Sequence, residues 1–94
     1  MSSIQIDGFL FDDENADKFN SHGLSDSDVD QILDNTFLVI QNRKERRGQY
    51  LIIGKDNGGR CIAVPIEPTR DRNIWRPITA WLCKANEEAR LRRK

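Results

Sequence analysis

The sequence predicts an α+β domain in which two N-terminal helices pack on an antiparallel four-stranded sheet and a short basic helix closes the chain. Three observations carry that expectation. Acid-capped helix starts and a helical apolar stripe fill the first 34 positions, short β-rich runs follow from Thr36 to Leu82, and residues 84 to 93 are polar and helix-forming.

The elements follow in chain order. A weakly patterned start, MSSIQIDG, leads into a short strand at Phe9 to Phe11. Asp12 and Asp13 then cap a short helix running to Asn20 and Ser21, and Gly23 stops it. Ser25 is the N-cap of the next helix, with Asp28 in its first turn, Leu24 stapled onto Val29, and Val29, Ile32 and Leu33 as its apolar stripe. Four strands are expected at Thr36 to Gln41, Gln49 to Gly54, Arg60 to Ile66 and Ile74 to Leu82. Asn57-Gly58 supports positive φ angles in a tight turn between the second and third of these. Both alternating sets of Tyr50-Leu51-Ile52-Ile53 are apolar, so this strand is central and covered on both faces. Pro65 and Pro77 lack a ladder donor and mark edges or bulges.

Ninety-four residues, 37% hydrophobic and 32% charged, suit one domain spanning positions 1 to 94. No run approaches the roughly 18 apolar residues of a membrane span, and the amino terminus is acidic rather than signal-like, which predicts a cytoplasmic protein with no membrane partner. Cys61 and Cys83 form no CxxC pair and the chain holds one His, so two buried or half-buried thiols are expected, with no disulfide framework, zinc site or other cofactor.

Charge is divided along the chain. Nine of the fifteen acids lie in the first 34 positions beside Lys18 alone, and fourteen of the fifteen bases lie in the rest against six acids, giving −8 followed by +8. The basic two-thirds can track a polyanion such as RNA, or the two halves can pack together and cancel. A homodimer pairing the acidic front of one copy with the basic back of another is a further reading.

Specific residues narrow the class. Phe11-Asp12-Asp13-Glu14-Asn15, then Lys18, then His22-Gly23-Leu24-Ser25 resembles the opening of BrnT-family toxins, where an aromatic-Asp-Glu-Asn segment leads through a basic helix to His-Gly-Val-Ser. Leu51-Ile52-Ile53-Gly54 with Gly59-Arg60 is similar to that family's central hairpin. Arg76-Pro77-Ile78-Thr79-Ala80 with Lys84-Ala85 resembles its closing strand, usually Arg-Ile-Ile-Ser-Ala-Arg-Lys-Ala. The resemblance implies a RelE-like fold and a metal-independent endoribonuclease, the toxin half of a toxin–antitoxin pair whose partner is a DNA-binding antitoxin. In this chain Trp81-Leu82-Cys83 precedes Lys84, so the family Arg after Ser-Ala is missing or displaced, and an attenuated nuclease or a non-enzymatic RNA- or protein-binding module is the alternative.

Metal-free RNA cleavage needs a proton acceptor for the 2′-hydroxyl, cations for the phosphorane and a donor for the leaving oxygen. Arg60 and Arg76 are the catalytic cations expected here, His22 the acid–base group, Glu67 a base if it sits among arginines, and Thr79 stands at the family Ser position. Lys18, Arg43, Lys44, Arg46, Arg47 and Lys84 are expected on RNA, free or on the ribosome, although Lys18 also has Glu14 at i, i+4 spacing as an ordinary surface partner. Trp75 and Trp81 fall on one face of the strand expected from Ile74 to Leu82, where exposed indoles would stack on bases and covered ones would be core.

Overall fold

Asp12 and Ser25 start the N-terminal helices as their residue types dictate. In the computed structural model, which describes residues 4–44 and 46–93, helix α1 spans Asp13–Ser21 and helix α2 spans Asp26–Asp30. Glu45 of the central charge run and Lys94 of the basic tail lie outside the described residues. Asp12 accepts from the Asn15 N–H at 2.9 Å and the Asn15 side chain accepts from the Asp12 N–H at 3.0 Å, a reciprocal capping box. Ser25 and Asp28 form a second, at 3.2 and 3.0 Å. After α1 the chain turns at Gly23, whose φ of 76° favours glycine. Helix α2 is shorter than its apolar stripe predicts, because Gln31–Asp34 tightens into a 3₁₀ turn; Val29 and Ile32 are still fully buried. Replacing Ser25 with Ala should cost about 1 kcal/mol, read as a lower urea midpoint with an unchanged slope.

The sheet is larger than expected and mixed rather than antiparallel. Its strands are β1 Gly8–Phe9, β2 Phe37–Gln41, β3 Tyr50–Lys55, β4 Cys61–Pro68, β5 Ile74–Pro77 and β6 Trp81–Leu82, followed by helix α3 at Ala85–Arg92. The order is β1-β5-β4-β3-β2, with β6 also on β4. Strand β1 adds parallel to β5 through Gly8 opposite Ile74 and Phe9 opposite Trp75, which is where the antiparallel expectation fails. The long strand expected from Ile74 to Leu82 is two strands along one edge of β4, β5 pairing with Ile66 to Pro68 and β6 with Ile62 and Ala63. Pro65 lies opposite the break and Pro77 ends β5, as residues without a ladder donor require.

The hairpin between β3 and β4 is present, with Lys55 opposite Cys61. Its positive φ falls on Gly59 at 90°, not on Asn57-Gly58. The Gly59 N–H closes the turn onto the Asp56 carbonyl at 3.1 Å, and Asp56 N–H and the Arg60 carbonyl are paired at 3.0 Å. One more loop residue than a two-residue turn needs moves the left-handed position to the bulge glycine.

Alternation in β3 and β4 sorts the core into two layers. Ile52, Ile62, Val64 and Ile66 meet Phe19, Leu24, Val29 and Ile32 of the helical side. Leu51, Ile53, Cys61 and Ala63 point the other way, where Ile40, Trp81, Cys83 and Leu91 pack on them. Trp75 and Trp81 therefore do not share a face: the break between β5 and β6 resets the alternation. Trp75 packs with the helical layer, edge-on to Tyr50 with ring centroids 5.5 Å apart, and Trp81 lies under α3.

The cysteines also differ from the expected free thiols. Strand β6 runs alongside the start of β4 and brings Cys83 to Cys61, with Cα atoms 5.3 Å apart and the Cys83 N–H on the Cys61 carbonyl at 2.9 Å; the two are joined as a disulfide. Sequence spacing does not reveal that neighbourhood, since it depends on β6 folding back beside β4.

Candidate nucleic-acid interface

Helix α3 is amphipathic in charge rather than in apolarity. None of its residues is buried, and Leu91 supplies its apolar contact with the sheet. Between α3 and the ends of β2 and β3 lies a cleft of about 250 Å³. Its floor is apolar, formed by Ile40, Leu51, Ile53 and Trp81, and its rim carries Arg43 and Arg46 from the β2–β3 loop and Lys84 and Arg90 from the α3 segment. None of these four cations forms an ion pair among the described residues. Among the described residues, Glu87 is the single carboxylate lining the cleft. One of its oxygens accepts from the Trp81 indole N–H at 3.1 Å and from the Lys84 N–H at 2.8 Å, which fixes the side chain and caps the helix start.

Arg43, Arg46 and Lys84 are thus brought together. The remaining expected RNA contacts lie elsewhere. Lys44 is exposed on the same loop without lining the cleft. Arg47 points to Glu67, at 3.4 Å. Lys18 has no ion pair among the described residues, because Glu14, its expected partner, pairs instead with Arg76 at 2.8 Å. Trp75 donates from its indole to the Gln5 carbonyl at 3.0 Å and lines a separate open hollow with Thr69 and Asn73.

The expected catalytic group is dispersed. Arg76 is only 15% exposed and is held by Asp12 at 2.8 Å, Glu14 at 2.8 Å and Glu67 at 3.0 Å. Hydrogen bonding to Arg76 holds the Asp12 carboxyl below its ordinary range, and the same three carboxylates raise the Arg76 guanidinium's affinity for its proton. Glu67 does sit between two arginines, Arg47 and Arg76, but three carboxylates against two guanidiniums leave that cluster net negative and poorly suited to a phosphate. Arg60 bridges Asp56 at 2.7 Å and Asp28 at 3.1 Å, tying the β3–β4 hairpin to α2. Burial alone would raise the Asp56 pKa, but bonds from the Arg60 side chain and N–H outweigh it and hold the carboxyl low. His22 is exposed at the end of α1, where its backbone N–H caps the Phe19 carbonyl at 2.9 Å. Thr79 is half-buried in the break between β5 and β6, with no side-chain hydrogen bond among the described residues.

The contacts of Arg76 with Asp12 and Glu14, and of Arg60 with Asp28, join the acidic front of the chain to its basic back, so part of the charge division cancels inside the fold. Among the described residues, the cleft rim is one place where several basic side chains gather without an ion pair. Arg90 was absent from the expected contacts, and a signal for it exists: Lys84, Glu87 and Arg90 recur at three-residue spacing and so share one helix face. No family model matches this sequence, and no curated protein is significantly similar to it.

Proposed function

We propose that this domain binds single-stranded RNA in the cleft beside α3, as a toxin-type domain of the RelE-like class that its sequence resembles. The observation that carries the reading is the convergence of Arg43, Arg46, Lys84 and Arg90, without an ion pair among the described residues, on a groove with an apolar floor. Guanidinium and ammonium groups on a rim hold phosphates, while an apolar floor with an indole accepts bases that are not paired to a second strand. An acidic antitoxin segment laid along the same rim would compete with RNA for these cations, which is how a partner would silence the domain.

The test is fluorescence anisotropy of a labelled mixed-sequence single-stranded RNA in EDTA across a salt series, with the wild type beside Arg46→Ala/Arg90→Ala. The wild type should bind with an affinity that falls steeply with salt. Removing two phosphate contacts should flatten the logarithmic salt slope by about 1.4, taking about 0.7 per contact for single strands, and weaken binding roughly tenfold at low salt. Binding that is absent, or insensitive to both salt and the substitutions, refutes the reading.

Glu87 favours a second, enzymatic reading of the same cleft. A carboxylate held by two donors on one oxygen, with cations around it, has the makings of a proton acceptor for a 2′-hydroxyl. In the same samples, fragments ending in 2′,3′-cyclic phosphate that disappear with Glu87→Gln would establish the endoribonuclease; RNA bound but intact would leave the non-enzymatic binding module.

A further inference from the structure

We infer that the Cys61–Cys83 disulfide is a redox latch on the cleft: oxidised, it holds α3 and its cations against the sheet, and reduction releases them. The control of RNA affinity by this latch rests on the RNA-binding reading above, whereas the release of the helix does not.

The attachment of α3 is slight apart from that covalent bond. The helix buries none of its residues, and at Ala85–Arg92 it is far shorter than the roughly 12 to 15 residues at which an isolated helix becomes even marginally stable in water. Strand β6, which delivers the chain to it, has two residues and pairs with β4 alone, through Leu82 opposite Ile62 and Trp81 opposite Ala63. Beyond these pairings the non-covalent ties among the described residues are the Cys83 N–H on the Cys61 carbonyl, Leu91 on the sheet and the Trp81–Glu87 hydrogen bond. The disulfide stands at the junction, immediately before Lys84, and fixes the position from which the helix starts.

The two sulfurs differ in access. Cys61 is 8% exposed in the apolar layer on which Trp81 and Leu91 pack, and Cys83 is half-buried. A thiolate from a dithiol reductant therefore reaches Cys83 more readily. Attack there forms a mixed disulfide and expels the Cys61 thiolate; the reductant's second thiol then displaces the Cys83 thiolate. The protein gains two electrons and, after protonation, two thiols, while the reductant closes its own disulfide.

Reduction separates the two halves of the cationic rim. Arg43 and Arg46 belong to the β2–β3 loop, which the disulfide does not touch, whereas Lys84 and Arg90 follow Cys83. With the latch open, two of the four cations leave their fixed positions, and Glu87 leaves with them. The main sheet, built on β2, β3 and β4 and covered by α1 and α2 on its other face, does not depend on the bond.

The deciding experiment is hydrogen exchange on the full chain, oxidised and after treatment with dithiothreitol, with Cys83→Ser as a permanently open form. On reduction the amides of Ala85–Arg92 should lose their protection while those of β3 and β4 keep theirs, and Cys83→Ser should match the reduced protein with or without reductant. Equal protection of α3 in both states overturns the latch, and so does a loss of protection throughout the sheet, which would make the bond a global staple. Should Cys83→Ser fold poorly, the reduced wild type carries the comparison alone. RNA anisotropy on the same samples should show roughly tenfold weaker binding and a flatter salt slope after reduction. Unchanged affinity with a released helix overturns the control of the cleft. No binding in either state refutes the RNA reading, and the exchange result still decides the latch.

Discussion

Replacing Asn15 with Ala should destabilise the domain by about 3 kcal/mol, summed from roughly 1 to 3 kcal/mol for each buried polar group left without a partner. Asn15 is fully buried, one of only two buried polar or charged residues in the described chain. Its amide N–H₂ donates to the Leu10 and Pro77 carbonyls, both at 3.0 Å, and its carbonyl accepts from the Asp12 N–H at 3.0 Å. One side chain thus joins the strand-to-helix corner at Leu10 to the end of β5. Alanine fills none of these roles and leaves the Pro77 carbonyl, at the break between β5 and β6, facing apolar surroundings. Asn15→Asp is the sharper control. At neutral pH its carboxylate would face two carbonyl oxygens and should be worse than alanine. Because that environment raises the carboxyl's pKa in the folded state only, the folded state binds the proton more tightly, and the deficit should shrink as the pH falls. Urea melts of the wild type and both variants at neutral and acid pH check the order; an alanine variant within about 0.5 kcal/mol of the wild type, the usual range of an inconsequential surface change, would show that water or relaxation replaces the clamp.

Asn15 also marks the boundary of what the sequence made legible. Local rules read well: Ser25 and Asp12 are N-caps, Gly23 is a stop, and β2, β3 and β4 lie within two residues of their expected ends. The double-sided apolarity of Tyr50 to Ile53 correctly implied a covered central strand. What failed depends on contacts between distant segments. Nothing local in Gly8-Phe9 announces a parallel pairing with Ile74 and Trp75, nor does the spacing of two cysteines announce that β6 returns to β4. For the candidate site the limitation is similar. A charge count locates the basic region, but whether an arginine is free or neutralised depends on which acid the fold carries to it. Arg46 and Arg76 look alike in sequence; one rims a cleft and the other is enclosed by three carboxylates from α1, its N-cap and β4.

That enclosure makes Arg76→Met a test of structure rather than of RNA contact. The substitution should cost roughly 2 kcal/mol at neutral pH, within the range of 1.5 to 3 for hydrogen bonds between charged groups, since the carboxylates are partly exposed and water recovers some of their solvation. It should leave the salt slope of RNA binding unchanged, because the cleft cations lie on other segments. The pH dependence identifies the cause. In the wild type the Asp12 carboxyl is held below its ordinary 3.8 chiefly by hydrogen bonding to Arg76, so its contribution to stability is complete above that value and is lost as the pH falls through the depressed folded-state pKa. Without Arg76 the depression largely disappears and the variant lacks this contribution at neutral pH. The gap between wild type and variant should therefore be widest near neutrality and close progressively below pH 3.8. Urea titrations from pH 7 down to pH 3 measure it directly. A gap that stays constant across that range would mean that Arg76 acts through the packing of its aliphatic stem and not through the three carboxylates, and a steep loss of RNA affinity in the variant would return it to the binding surface.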